Sequence, residues 1–129
     1  MNSRTIGFEN NAKITLDGTE YPLLLSTYAA KQISDKFGGL SEMGERLTDS
    51  KGREGEMIDD LCWVIATLAN QPILIRNRRE NKDEPTLTAE DIAIFTTIDD
   101  ITDMVEAVML AINQGSSRAV PDGKPTEKN

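Results

Sequence analysis

The first pattern along the chain is a pair of short strands. Residues 13–16 alternate polar and apolar side chains, and a similar run over 19–25 follows the dipeptide Asp17-Gly18. Both residues of this dipeptide tolerate the positive φ that a type I′ turn requires, so the pattern predicts a β-hairpin. Pro22 has no amide donor, so it either places the second strand at a sheet edge or ends the pairing of that strand early. A two-stranded ribbon is marginal by itself, and we expect it to pack on helices.

Behind the hairpin the apolar spacing changes to that of helices. Ile33 and Phe37 fall on one face of a helix predicted over residues 27–37, which ends at the glycine pair 38–39. A short second helix follows from about residue 41 and ends in the polar stretch 48–52. The chain is therefore helical after the hairpin.

The most apolar segment predicts a third helix over residues 54–71. Its apolar side chains cover most of the circumference, which is typical of a central, buried helix. Four carboxylates lie in its first turns, where they stabilise the positive end of the helix dipole. In this prediction Pro72 ends the helix, and residues 73–84 form a short helix that frays into a loop closed by Pro85.

Two more helices complete the predicted domain. Thr88 and the acidic residues after it open a short helix that carries Ile92 and Phe95. Thr97 caps a last helix, which Gly115 stops. The apolar seam of this helix steps by three and four residues, through Ile98, Ile101, Val105, Val108 and Ile112.

These elements predict a mainly α protein, with an N-terminal β-hairpin packed on a bundle of about five to six helices. We expect a single domain over residues 12–115, preceded by a flexible lead over 1–11. Residues 116–129 are rich in Ser, Pro, Gly, Lys and Glu, and we predict a disordered tail there. At 129 residues the chain has the size of one domain.

Charge and composition narrow the function. Fourteen basic residues against 22 acidic ones leave a net charge of −8, which disfavours nucleic acid and anionic membranes as partners. The polar N-terminus and the single cysteine, Cys62, lead us to expect a cytoplasmic protein. The chain has no histidine, no metal-binding motif and no phosphate-binding glycine loop, so we predict a protein that is not an enzyme and holds neither metal nor cofactor.

The surface offers candidates for protein binding instead. The basic cluster of Arg76, Arg78 and Arg79 is either a docking patch for an acidic partner or a second copy of this chain, or a solvated face balanced by nearby carboxylates. Trp63 is either a core anchor or an interface residue. The seam of the last helix is likewise either core or an oligomer contact.

Several segments resemble a known family when they are taken in order. They are the hairpin sequence ITLDGTEYPL at 14–23, the helix end KFGG at 36–39, and LTAEDI at 87–92 followed by the helix over 101–115. Together they resemble the tail assembly chaperones of long-tailed bacteriophages and prophages, over about residues 12–115. Gene transfer agent proteins have a similar layout.

The resemblance implies a protein that binds the aggregation-prone tape-measure protein and helps tail-tube subunits to polymerise around it, with self-association common. We expect such contacts at the hairpin edge near Leu23 and Leu25, or on the last helix at Ile101, Val105, Val108 and Ile112. The alternative is a small acidic regulatory adaptor or DNA mimic. A mimic would array carboxylates along one face, whereas a chaperone should expose an apolar groove.

Overall fold

Within the described residues, a β-hairpin is followed by five α-helices. The structure, a computed structural model, describes the backbone of residues 12–119 and the side chains of residues 12–115. Its elements are β1 (Lys13–Leu16), β2 (Thr19–Pro22), α1 (Thr27–Phe37), α2 (Leu40–Thr48), α3 (Glu54–Glu80), α4 (Ala89–Ile94), a 3-10 turn (Ile98–Asp100) and α5 (Ile101–Ala119). The mainly α class with an N-terminal hairpin is confirmed. The predicted lead over 1–11 lies outside the described residues.

The hairpin turn has the predicted conformation. Asp17 and Gly18 have φ values of 50° and 82°, as a type I′ turn requires. The strands pair antiparallel, with Ile14 opposite Tyr21. Ile14 and Leu16 are buried, so one face of the ribbon contributes to the core while the other faces solvent.

The first helix begins and ends where the pattern places it. The Oγ atom of Ser26 accepts a hydrogen bond of 3.0 Å from the amide of Ala29, which caps α1. At the other end the amide of Gly38 donates to the carbonyl of Ser34 over 2.8 Å. Helices α1 and α2 pack on each other and on α3, and they bury Ile33 and Met43 completely.

The central helix is longer than predicted. Pro72 does not end it: α3 runs on through Pro72 to Glu80, and the separate short helix predicted over 73–84 is wrong. The interior of α3 supplies much of the core, with Leu61, Ile65 and Leu68 fully buried. The prediction of a central, buried third helix is therefore correct in character and wrong in length.

The hairpin explains how α3 tolerates a proline. Because Pro72 has no amide hydrogen, the carbonyl of Leu68 loses its usual helical donor. The amide of Leu24 donates to that carbonyl instead, over 3.1 Å. Nearby, the Oγ atom of Ser26 donates to the Oε1 atom of Gln71 over 2.7 Å. The chain leaving the hairpin thus satisfies the carbonyl that the proline would have left without a donor.

The last helix also extends past its predicted end. Gly115 does not stop α5, which continues to Ala119, so residues 116–119 of the predicted disordered tail are helical. The remainder of that tail lies outside the described residues. A Cβ atom at Gly115 would lie 2.8 Å from the Cβ atom of Leu25, closer than packed atoms approach. Gly115 is therefore required for the close contact between α5 and the chain after the hairpin.

Candidate protein-binding surface

Apart from Ile98, which is 71% exposed, the apolar seam predicted for the last helix faces the protein's own core. Val108 is fully buried, and Ile101, Val105 and Ile112 are half-buried and pack against the core cluster. Of the two interpretations of the seam, core packing describes it. Only the partly exposed edges of these side chains could reach a partner.

The hairpin exit is closed in the same way. Leu23 is buried, and its amide donates to the carbonyl of Ala12 over 2.9 Å. Leu25 is half-buried, packs against the core and lies against Gly115. Since a buried side chain cannot contact a partner unless the fold opens, we remove Leu23 and Val108 from the accessible candidates.

The basic cluster divides into two parts. The guanidinium of Arg76 lies 3.0 Å from the Glu84 carboxylate, and this hydrogen bond raises the pKa of Arg76 and lowers the pKa of Glu84. Arg78 and Arg79 are exposed in the last turn of α3, where cations complement the helix dipole. No ion pair is recorded for either of them within the part of the chain described. Arg76 thus belongs to an internal ion pair, and the other two arginines lie on open surface.

A group of large apolar side chains is exposed around the end of α4. Ile94, Phe95 and Ile98 are 66%, 51% and 71% exposed, and we name these three residues the α4 patch. They lie within five consecutive positions, so the Cα atoms of the outer two are at most about 14 Å apart. Exposed apolar side chains concentrated in this way are typical of protein-binding sites.

The local geometry of α4 explains why the sequence analysis missed this patch. Ile92 is fully buried and anchors the helix on the core. Ile94 comes two residues later, about 200° around the helix, so it points away from the surface that Ile92 contacts. Phe95 is the residue that ends α4, and Ile98 begins the 3-10 turn before α5. The sequence pattern assigns Phe95 and Ile98 to the apolar faces of two helices. The signal that indicates exposed apolar surface here is the two-residue spacing of Ile92 and Ile94, which places them on opposite sides of α4.

Two asparagines of α3 hold the segment that leads into α4. The side chain of Asn70 accepts from the amide of Leu87 over 2.7 Å and donates to its carbonyl over 2.8 Å. The side chain of Asn77 makes the same pair of bonds to Glu84, over 2.9 and 3.1 Å. Seven helical residues and three extended residues both span about 10 Å, so the two sets of bonds match in spacing. The segment is tied to α3 at two points.

Capping bonds hold both sides of the α4 patch. Thr88 and Asp91 form a reciprocal capping box at the start of α4, with bonds of 3.0 and 2.8 Å. The amide of Thr97 donates to the carboxylate of Asp100 over 2.8 Å. Between them the hydroxyl of Thr96 donates to the carbonyl of Ile92 over 2.7 Å. The exposed apolar side chains therefore stand on a hydrogen-bonded backbone.

A row of carboxylates continues from the patch along α5. Residues 85–117 contain six acidic side chains and neither lysine nor arginine. Asp99, Asp103 and Glu106, which we name the α5 stripe, are exposed and step by four and three residues, the spacing of one helix face. No ion pair is recorded for them in the described residues. Leu110, 45% exposed, extends this face by one more turn.

A shallow cleft lies between α1, α2 and α3. Its volume is about 180 Å³ and it is lined by Lys36, Phe37, Arg46 and Asp60. Arg46 closes an ion pair of 2.8 Å with the buried carboxylate of Asp60. This volume is below the roughly 300–1,000 Å³ of small-molecule sites, and two of the three charged side chains that line the cleft, Arg46 and Asp60, already pair with each other.

Trp63 packs beside this cleft. Its ring meets the Phe37 ring edge to face at 5.9 Å between centroids, and the Nζ atom of Lys36 lies 4.9 Å from the Trp63 centroid. Trp63 is half-buried and packs against the core. These contacts favour the core-anchor interpretation over the interface one.

Among the described residues, the side chains that could take part in catalysis or metal binding do not converge on one site. Cys62 is buried, and desolvation, with a smaller effect of the Asp59 carboxylate, raises the pKa of its thiol and keeps it in the unreactive protonated form. In the described part of the chain no three Asp, Glu, Cys or His side chains are grouped to hold a metal ion.

Helix α3 alone has the length and composition of a membrane-spanning helix among the residues searched. Half of its most apolar 18-residue window is buried inside the protein. The core helix of a compact domain satisfies the same two criteria, and α3 contacts each of the other four helices among the described residues, as such a core helix does. We therefore describe α3 by its place in the core.

Comparison with known proteins found no matching family model, no matching curated protein and no matching solved structure. The resemblance to tail assembly chaperones consequently depends on the sequence segments quoted above.

Proposed function

We propose that this chain is a non-enzymatic tail assembly chaperone, which binds tape-measure protein and tail-tube subunits of a long-tailed phage or prophage in the bacterial cytoplasm. The observation that carries the proposal is the α4 patch, in which Ile94, Phe95 and Ile98 are exposed on a hydrogen-bonded backbone. The sequence resemblance supplies the identity of the partners. The patch supplies a surface that such a partner would cover.

The size of the patch fits reversible binding of an apolar helix. Burying a large aliphatic or aromatic side chain completely contributes about 1.5–3 kcal/mol, and these three side chains are between 51% and 71% exposed. Together they supply about 3–5 kcal/mol before the entropic cost of association is subtracted. A partner held with this modest energy can be released, as a chaperone must release its client during tail assembly.

Co-expression with the tape-measure protein of the same phage or prophage tests the proposal. We expect a complex and a larger soluble fraction of tape-measure protein with the natural chain. The triple substitution Ile94→Ser, Phe95→Ser and Ile98→Ser should remove both effects without changing the far-ultraviolet circular dichroism. Tyr28→Ser is the control, because Tyr28 is 57% exposed on α1. The absence of both a complex and a solubility gain for the natural chain would refute the proposal.

The second candidate is the acidic adaptor or DNA mimic, and the α5 stripe is the feature that would support it. The spacing and the ends of the stripe fit a DNA mimic less well than a chaperone. The three carboxylates of the stripe span about 10 Å of helix, whereas duplex DNA carries one charge per roughly 1.7 Å. The stripe also ends in exposed apolar side chains, Ile98 and Leu110, which a phosphate mimic does not need. The triple serine substitution separates the candidates, because removing the α4 patch while the stripe is intact would abolish the activity of a chaperone and leave most of that of a mimic.

A further inference from the structure

We propose that the segment bound at this surface is a cationic amphipathic helix, whose apolar side chains lie on the α4 patch and whose lysines or arginines face the α5 stripe. This inference rests on the proposed function and specifies the chemistry of the partner at the same surface. It predicts that charge, in addition to apolar contact, selects the client.

The first argument is the distribution of charge around the patch. Of the six carboxylates in residues 85–117, those of Asp91 and Asp100 accept capping hydrogen bonds. The other four carboxylates are exposed, and within the described part of the chain none of them forms an ion pair. A partner placed on the patch would therefore meet an uncompensated negative surface, which favours cations at its edge.

The second argument is the cost of the stripe to the free chain. Like charges three or four residues apart repel each other and destabilise a helix. Asp99 and Asp103 lie near the N-terminal end of α5, where the helix dipole offsets this repulsion. Glu106 lies beyond the first turn, and the dipole does not explain it. A cation of a partner that faces the stripe would offset this charge.

The third argument is the match between the stripe and a helical partner. Residues three or four positions apart on a helix have Cβ atoms about 5–6 Å apart, and this spacing applies to the stripe as to any helix face. A partner helix with cations at this spacing can meet all three without distortion. Ile98 and Leu110 bracket the stripe and provide apolar contacts at its two ends. The face as a whole is complementary to an amphipathic helix with a basic border.

Three synthetic helical peptides test the inference on the full chain. All carry the same leucines, and their polar positions are lysine, glutamine or glutamate. We expect fluorescence anisotropy to give the tightest binding for the lysine peptide, about tenfold tighter than for the glutamine peptide, since each exposed ion pair contributes a factor of roughly 1.4–5. Binding should weaken with salt, because the screening length falls from about 10 Å at 0.1 M to about 3 Å at 1 M.

Matched variants assign the effect to the stripe. The substitutions Asp99→Asn, Asp103→Asn and Glu106→Gln should weaken lysine-peptide binding about tenfold. The control, Glu45→Gln with Asp59→Asn and Asp83→Asn, changes the net charge equally at exposed positions elsewhere and should change binding less than about twofold. Circular dichroism of both variants establishes that they fold.

Several outcomes would overturn the inference. The first is equal binding of the lysine and glutamine peptides, and the second is a loss of lysine-peptide binding in the control variant equal to that in the stripe variant. The third is concentration-dependent dimerisation that the stripe variant abolishes, which would show that a second copy of the chain occupies the surface. If the patch is needed to solubilise tape-measure protein while the peptides show no charge preference, the function stands and the charge selection fails. If the lysine peptide binds through the stripe but tape-measure protein does not bind, the proposed function fails instead.

Discussion

Replacing Gly115 with alanine distinguishes a helix stop from a packing contact. In a helix interior without close neighbours, Gly→Ala stabilises a protein by about 0.5–1 kcal/mol, because alanine has less backbone freedom to lose on folding. At Gly115 the new Cβ atom would lie 2.8 Å from the Leu25 Cβ atom and 2.9 Å from its Cδ2 atom. Overpacking of this kind costs about 1–3 kcal/mol, so we expect a net destabilisation of about 1 kcal/mol.

A double-mutant cycle with Leu25 tests whether contact with this side chain causes the destabilisation, because the effect of Gly115→Ala should change sign when the contacting atoms are removed. Leu25→Ala removes the Cγ and Cδ2 contacts but keeps the Cβ atom, so Gly115→Ala should still destabilise the protein in that background. Leu25→Gly removes all three contacting atoms, and there Gly115→Ala should stabilise by about 0.5–1 kcal/mol. The coupling energy between Gly115→Ala and Leu25→Gly is then about 1–3 kcal/mol.

Urea unfolding followed by circular dichroism measures each step of the cycle. The slope of the free energy of unfolding against urea should be unchanged, which establishes that the variants alter stability and not the extent of the fold. If Gly115→Ala stabilises the natural chain, the contact with Leu25 is absent. If it destabilises equally in all three backgrounds, Gly115 acts through its own backbone conformation and the packing argument is refuted.

Two further predictions concern the central helix. Asn70→Ala removes both hydrogen bonds to the segment before α4 and should lower the free energy of unfolding, measured by urea titration, by about 1–3 kcal/mol. The control is Asn113→Ala at an exposed position of α5, which should change this free energy by less than about 0.5 kcal/mol. Equal effects would show that the Asn70 bonds contribute nothing specific. Burial raises the pKa of the Cys62 thiol, so the folded state favours the protonated thiol. The stability that the protonated thiol contributes is complete below the pKa of the unfolded thiol, and it is lost as the pH rises through the folded pKa. Iodoacetamide at pH 8–9 should accordingly label Cys62 at least about a hundredfold more slowly in the native chain than in urea, and comparable rates would contradict its burial.

Local chemistry was sufficient to predict the elements whose ends depend on neighbouring residues. The Asp17-Gly18 turn, the end of α1 at Gly38 and the capping box at Thr88 all involve atoms within a few residues of each other. The same holds for the buried character of α3, because an apolar circumference has no alternative to burial in water. These features were determined by the sequence alone.

The tertiary structure decided the features that depend on distant partners. Pro72 would end an isolated helix, but the Leu24 amide supplies a donor to the carbonyl that the proline leaves free. Gly115 has the sequence signature of a helix stop, and only the approach of Leu25 reveals it as a contact within α5. The candidate surface also depends on distant partners, because the core seam of α5 and the exposed α4 patch both consist of apolar residues. Which of them faces solvent is decided by how the helices cover one another, and helical periodicity does not encode that information.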